Sequence, residues 1–167
     1  MRLLILLPLA PRLDAANGGS RVITQFLTEI TARHKVAVLY FREATEPGAD
    51  SFFRTRCELL VEVVRPASEK SLWLRVQRYF RLLLSLFLLR PLWVTDWSSD
   101  LFAKEAKRLA IEFQPDVIQA EFHVMGQYFS VLNAIKARRV LVEYEPGARA
   151  ALYLQNLPGM LRRWIGW

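Results

Sequence analysis

Three short segments gather residues able to do acid–base or sugar-binding chemistry. The first is Asn17-Gly18-Gly19, a polar turn between a strand-like run and a helix-periodic one. Paired glycine there lets backbone approach a ligand closely and tolerates unusual dihedrals. The N–H groups of the helix start would face that ligand, which suits a phosphate or a sugar. The alternative is a plain flexible loop. The second segment is Glu121-Phe122-His123, and the third is Glu143-Tyr144-Glu145-Pro146-Gly147, with Arg149 just beyond it. Glu121, Glu143 and Glu145 can hold sugar hydroxyls or serve as a proton acceptor, and His123 is a further titratable group. The alternative for the glutamates is helix capping or ordinary surface placement, and for His123, a lone histidine, a structural role. No pair of histidines and no carboxylate cluster has metal-ligand spacing, so no metal and no cofactor is expected.

The elements around these segments alternate. Leu3 to Pro8 is strand-like, and Ser20 to Ile30 carries an apolar stripe at three- and four-residue spacing through Val22, Ile23, Phe26, Leu27 and Ile30. Lys35 to Arg42 reads as a buried strand, Glu43 to Asp50 as a loop, and Cys57 to Arg65 as a strand closed by Pro66. Glu69 to Arg90 is helical in pattern, and Pro91 stops or kinks it. Ser98 is a fair N-cap for a helix to about Phe113. Asp116 to Glu121 reads as a strand, Met125 to Ala137 as a helix, and Val140 to Tyr144 as a strand before another helix. Near-continuous apolar strands separated by helices predict a Rossmann-like α/β fold with a doubly wound parallel sheet. Ligands bind such sheets beyond the carboxyl ends of the strands, where all three polar segments fall. Gly18, Glu121 and Glu143 are therefore expected on one edge.

Composition narrows the function classes. Hydrophobic residues make up 53% and charged residues 23% of 167 positions, which is globular composition for one domain. The single cysteine, Cys57, excludes an internal disulfide and a cysteine-based zinc site. The net charge of +7 favours an anionic partner. No aromatic-basic RNA motif or zinc-finger spacing is present, so nucleic acid is not expected. Arg2 before an apolar run is the start of a signal-peptide pattern, but no clean small-residue cleavage site follows. The Leu82–Leu89 run is far short of the about 20 residues a membrane-spanning helix needs. Arg75, Arg78, Arg81 and Arg90, with Trp73, Tyr79 and Trp93, surround it. That pattern suits peripheral contact with an anionic membrane through residues 72–94. A buried core helix with snorkelling arginines is the alternative.

Order and spacing together carry a resemblance. The strand leading to Gly18-Gly19-Ser20-Arg21-Val22, the run Phe113 to Phe122, and Val140-Leu141-Val142-Glu143-Tyr144-Glu145 resemble the N-terminal, acceptor-side domain of a family 4 glycosyltransferase of the GT-B fold. The resemblance spans nearly the whole chain. It implies transfer of a sugar from a nucleotide-sugar donor to a glycan or lipid-linked acceptor. The site it implies has Glu121, Glu143 and Glu145 as catalytic groups. Asn17, Gly18, Gly19, His123, Tyr144 and Arg149 would be the substrate-binding ones, with Arg149 offsetting charge on the departing diphosphate. Tyr144 stands where some relatives of this type have a histidine near the transferred sugar, which moves that role to Glu143 or Glu145. The family's second Rossmann-like domain, its donor-binding half, has no counterpart in residues 1–167. A truncated chain, inactive alone, is the expectation, with a cytoplasmic location peripheral to the inner face of the membrane. The alternative function is a non-catalytic Rossmann-like binding or scaffold domain at the membrane surface. A dinucleotide-dependent dehydrogenase is disfavoured, because the G-x-G-x-x-G turn is missing.

Overall fold

A computed structural model of the chain describes residues 1–14, 18–65 and 92–144, together with residues 76, 79–81, 83 and 84. Its centre is a five-stranded parallel sheet in the order β3-β2-β1-β4-β5. The strands are β1 (Arg2–Leu7), β2 (Lys35–Glu43), β3 (Leu59–Arg65), β4 (Val117–Glu121) and β5 (Arg138–Val142). Between them lie α1 (Gly18–Thr31), α2 (Ser51–Arg56), α3 (Leu92–Asp96), α4 (Asp100–Phe113), the short α5 (His123–Gly126) and a 3-10 turn over Gln127–Leu132. β1 is central, pairing with β2 on one side and β4 on the other. The order reverses direction between β1 and β4, which makes their carboxyl ends the switch point of this Rossmann-like fold.

The strands are apolar because both faces are covered. Leu3, Ile5 and Leu7 pack with Val36, Val38 and Tyr40 under Ile23 and Leu27 of α1 and Phe53 of α2. Leu4 and Leu6 alternate to the other face, with Leu39, Phe41, Ile118 and Ala120 against α4. Each large side chain buried this way contributes roughly 1.5–3 kcal/mol. Phe41 and Phe102 stack at 4.2 Å between ring centroids and fix α4 on its face. α4 starts where the Ser99 Oγ accepts the Phe102 N–H at 3.2 Å. It ends where Gln114, in left-handed backbone at φ 48°, donates its N–H to Ala110.

Several boundaries differ from the sequence expectation. Ser99 caps α4, not Ser98, because the Ser98 N–H turns back to the Thr95 carbonyl at the end of α3. The expected strand at residues 140–144 runs instead over Arg138–Val142, because its pairing stops where β4 stops, at Glu121 opposite Val142. The helix expected from Met125 to Ala137 is α5 followed by the 3-10 turn. There the Gln127 amide takes the Val124 carbonyl at 2.7 Å and the Ser130 hydroxyl takes the Gln127 carbonyl at 2.8 Å. Such side chains compete with helical bonding. α2, between the expected loop and strand, is a short helix whose Phe53 is wholly buried.

Most of the expected helix at 69–90 lies outside the described residues. The described positions within it are helical: Val76, Tyr79, Phe80, Arg81, Leu83 and Leu84. The five apolar ones are 48–68% exposed, so the buried-core alternative for this segment does not hold at them. No helix among the described residues is long and apolar enough to cross a membrane.

Candidate functional site

All five strands point their carboxyl ends to one edge, because all are parallel. Glu121 is the last residue of β4, and Glu143 and Tyr144 follow directly on β5. Gly18 and Gly19 open α1, which is reached from the carboxyl end of β1 by the loop that starts at Pro8. That loop is fastened to its surroundings. The Thr24 hydroxyl of α1 donates to the Arg12 carbonyl at 2.9 Å, and the Leu13 N–H donates to the Asp50 carboxylate at 3.3 Å.

The unusual dihedrals expected of the glycine pair are not found: no glycine among the described residues has positive φ. Gly18 and Gly19 are helical, and a Cβ on Gly18 would meet no atom within 4 Å. Gly18 thus has open space where a side chain would stand. Asn17, Glu145 and Arg149 lie outside the described residues.

The other four expected residues come together on β4 and β5. Glu121 is wholly buried, on the α1 face of the sheet. One carboxylate oxygen accepts the Gln119 side-chain amide at 2.5 Å, and the other accepts the Tyr144 hydroxyl at 2.6 Å. Gln119 reaches it because residues two apart on a strand share a face. Both donors are neutral, an uncommon arrangement for a buried carboxylate, which ordinarily requires a cation or several donors. Burial, and then the hydrogen bond and negative charge of Glu121, push the Tyr144 hydroxyl well above the ordinary tyrosine range. Tyr144 therefore stays a neutral donor across physiological pH.

The second pair sits outside the first. His123 Nδ1 lies 3.4 Å from Glu143 Oε2, with side chains 50% and 32% exposed. An imidazole beside a carboxylate is a combination used in general acid–base work. Backbone explains how neighbouring residues serve two levels. Phe122 has φ 67° and ψ 148°, a region that costs a non-glycine residue about 1–3 kcal/mol. Its N–H still donates to the Val142 carbonyl at 2.9 Å, and its ring packs on Tyr144 at 4.8 Å. This local reversal turns Glu121 into the core and His123 out to the rim.

His123 also borders a cavity of about 350 Å³ at the same edge. Its lining includes Pro8 and Leu9 after β1, Phe41 and Glu43 of β2, Glu46, Arg65 of β3, Trp97, Phe122 and Val124. Arg65 lies over the Trp97 ring at 4.1 Å and near Phe41 at 5.7 Å, and donates to the Asp96 carbonyl at 3.3 Å. Sequence reasoning missed Arg65, Glu43 and Trp97 as site residues. Strand-end position alone marks Arg65 and Glu43, which close β3 and β2. Nothing local marks Trp97, which the fold brings in from the turn before α4. Among the described residues no cluster of three His, Cys, Asp or Glu groups could hold a metal ion. No protein-family model, curated protein or solved structure matches the chain.

Proposed function

We propose that the chain is the acceptor-side domain of a glycosyltransferase, taking part in transfer of a sugar from a nucleotide-sugar donor to a glycan or lipid-linked acceptor. The observation that carries this reading is the convergence of Glu121, Tyr144, His123 and Glu143 on adjacent strand ends beside the switch point of the sheet. In this reading His123, beside Glu143, takes the proton of the acceptor hydroxyl as that oxygen bonds to the sugar and the bond from the sugar to the nucleoside diphosphate breaks. Glu121 is a positioning and electrostatic group, holding Tyr144 and the β5 end in place. The open space beside Gly18 leaves room for a phosphate or sugar oxygen to approach the backbone. The sequence resemblance to family 4 enzymes supports the same assignment.

The membrane part of the reading rests on a separate observation. Val76, Tyr79, Phe80, Leu83 and Leu84 fall at helical spacing and are exposed, with Arg81 exposed among them. An apolar stripe beside basic residues suits the interface of an anionic leaflet. It serves a lipid-linked acceptor, and it would serve a non-catalytic membrane-surface domain equally. The polar cluster supports the first, since a scaffold has no use for a histidine beside a carboxylate at the strand ends.

The test is radiolabelled nucleotide-sugar turnover with glycan and lipid-extract acceptors, using protein expressed from its complete gene. His123→Ala and Glu143→Gln should each lower kcat by about 10²–10⁴-fold, the range for general acid–base groups. Both side chains are substantially exposed, so stability should move by no more than about 0.5 kcal/mol. Full turnover in both variants overturns the assignment.

A further inference from the structure

The cavity on the α4 side of the carboxyl edge has a composition that selects its occupant. Its apolar floor is Leu9, Phe122 and Val124, and its charged groups are Arg65, Glu43 and Glu46. Arg65 lies over Trp97, its Cζ 4.1 Å from the ring centroid. Among the described residues one of its five N–H donors is engaged, by the Asp96 carbonyl, and the side chain supplies donors only. The two glutamates are exposed at the mouth and supply acceptors only. A ligand that fits must therefore offer both hydroxyl donors and hydroxyl acceptors around an apolar face.

Charge removes the other classes. Two carboxylates against one guanidinium disfavour a phosphate or a uronic acid. A quaternary amine would seek the aromatic face that Arg65 already occupies with positive charge. A purely apolar ligand would strip water from three charged groups without replacing it. The volume of about 350 Å³ is at the lower end of the range for small-ligand pockets. The geometry points to an uncharged saccharide ring, bound with its apolar face on the floor and one hydroxyl toward His123. The role of that hydroxyl as the nucleophile rests on the glycosyltransferase reading; the binding of the ring does not.

The test is heteronuclear NMR titration of the intact protein with methyl glycosides of neutral hexoses, and in parallel with glucose 6-phosphate and glucuronate. Neutral glycosides should shift the Trp97 indole N–H and the Phe122 and His123 amides, with Kd on the order of 1–10 mM, as a single shallow ring site permits. The two anionic sugars should bind at least tenfold more weakly, on the order of one lost charged hydrogen bond. Glu43→Gln with Glu46→Gln should weaken the neutral sugars roughly tenfold and strengthen glucose 6-phosphate. Because both glutamates are exposed, the double variant should fold as the parent does. Arg65→Gln should abolish the shifts while the far-edge amides at Lys35 and Asp116 stay in place. Shifts confined to other regions, or anionic sugars binding as well as neutral ones, overturn the inference. Sugar binding without transfer leaves this subsite standing and sinks the enzyme reading; transfer without neutral-sugar binding does the reverse.

Discussion

Tyr144→Phe isolates one bond at the heart of the site. The hydroxyl donates to Glu121 at 2.6 Å, and the carboxylate it serves has no exposed surface. Phenylalanine keeps the ring, and with it the packing on Phe122 at 4.8 Å, so apolar burial is unchanged. What goes is a hydrogen bond to a buried charged group, worth about 1.5–3 kcal/mol. For a chain of this length each kcal/mol corresponds to about 2–4 °C, so Tm should fall by about 3–12 °C. The assay is thermal unfolding by circular dichroism at neutral pH for the wild type, Tyr144→Phe, Glu121→Gln and the double variant. In the Glu121→Gln background the lost bond is between neutral groups and should cost only about 0.5–1.5 kcal/mol. The cycle should therefore show a coupling of about 1 kcal/mol or more. Equal costs in the two backgrounds, or a Tyr144→Phe cost below about 0.5 kcal/mol, would refute the account of Glu121 as a charged acceptor held by two neutral donors.

Alkaline pH should weaken the fold. Burial raises the Cys57 thiol from 9.0 to about 11, so the unfolded chain gives up that proton first; the stability it contributes is whole below pH 9.0 and lost as pH rises toward about 11. Tyr128 and Tyr144, both raised from 10.0 chiefly by burial, add to the decline above pH 10.0, and a Tm that stays flat through this window contradicts the burial described for all three. Gln114→Gly should raise Tm by about 1–4 °C in a melting experiment, because glycine relieves the left-handed backbone at an exposed helix end. Phe80→Glu combined with Leu84→Glu should abolish flotation with anionic liposomes while leaving Tm within about 2 °C, since both side chains are exposed; unfolding of the pair, or a wild type that does not float, removes the membrane contact.

The alternation of apolar strands and helices was legible because a parallel sheet buried on both faces leaves Leu3–Leu7 and Val36–Phe41 almost without polar residues. Strand-end position then picked out Glu121, His123, Glu143 and Tyr144. The pairing of those four was not legible. It depends on β5 lying beside β4 with Glu121 opposite Val142, a register that no local pattern in Arg138–Val142 encodes. The turn at Phe122 was hidden for a different reason: phenylalanine is a residue type that argues against positive φ, and tertiary contacts, its N–H to Val142 and its ring on Tyr144, hold it there. The cavity escaped because Trp97 reaches it from an irregular segment, and because Arg65 reads in sequence as one more surface cation.

Among the described residues β5 lies at the edge of the sheet, with four of its five residues exposed, Val140 and Leu141 among them. An exposed strand lacks the inside-outside pattern that ordinarily fixes alignment, so it is free to slip. The rungs beyond its end, Glu121 to Tyr144 and His123 to Glu143, supply the missing instruction. Sliding the strand by one residue would carry Glu143 toward the place of Tyr144 and set a second carboxylate against the buried one. The alignment of β5 is therefore proofread by charge rather than by oil, and the same side chains that suit the site to proton transfer also decide which of two adjacent pairings the chain accepts.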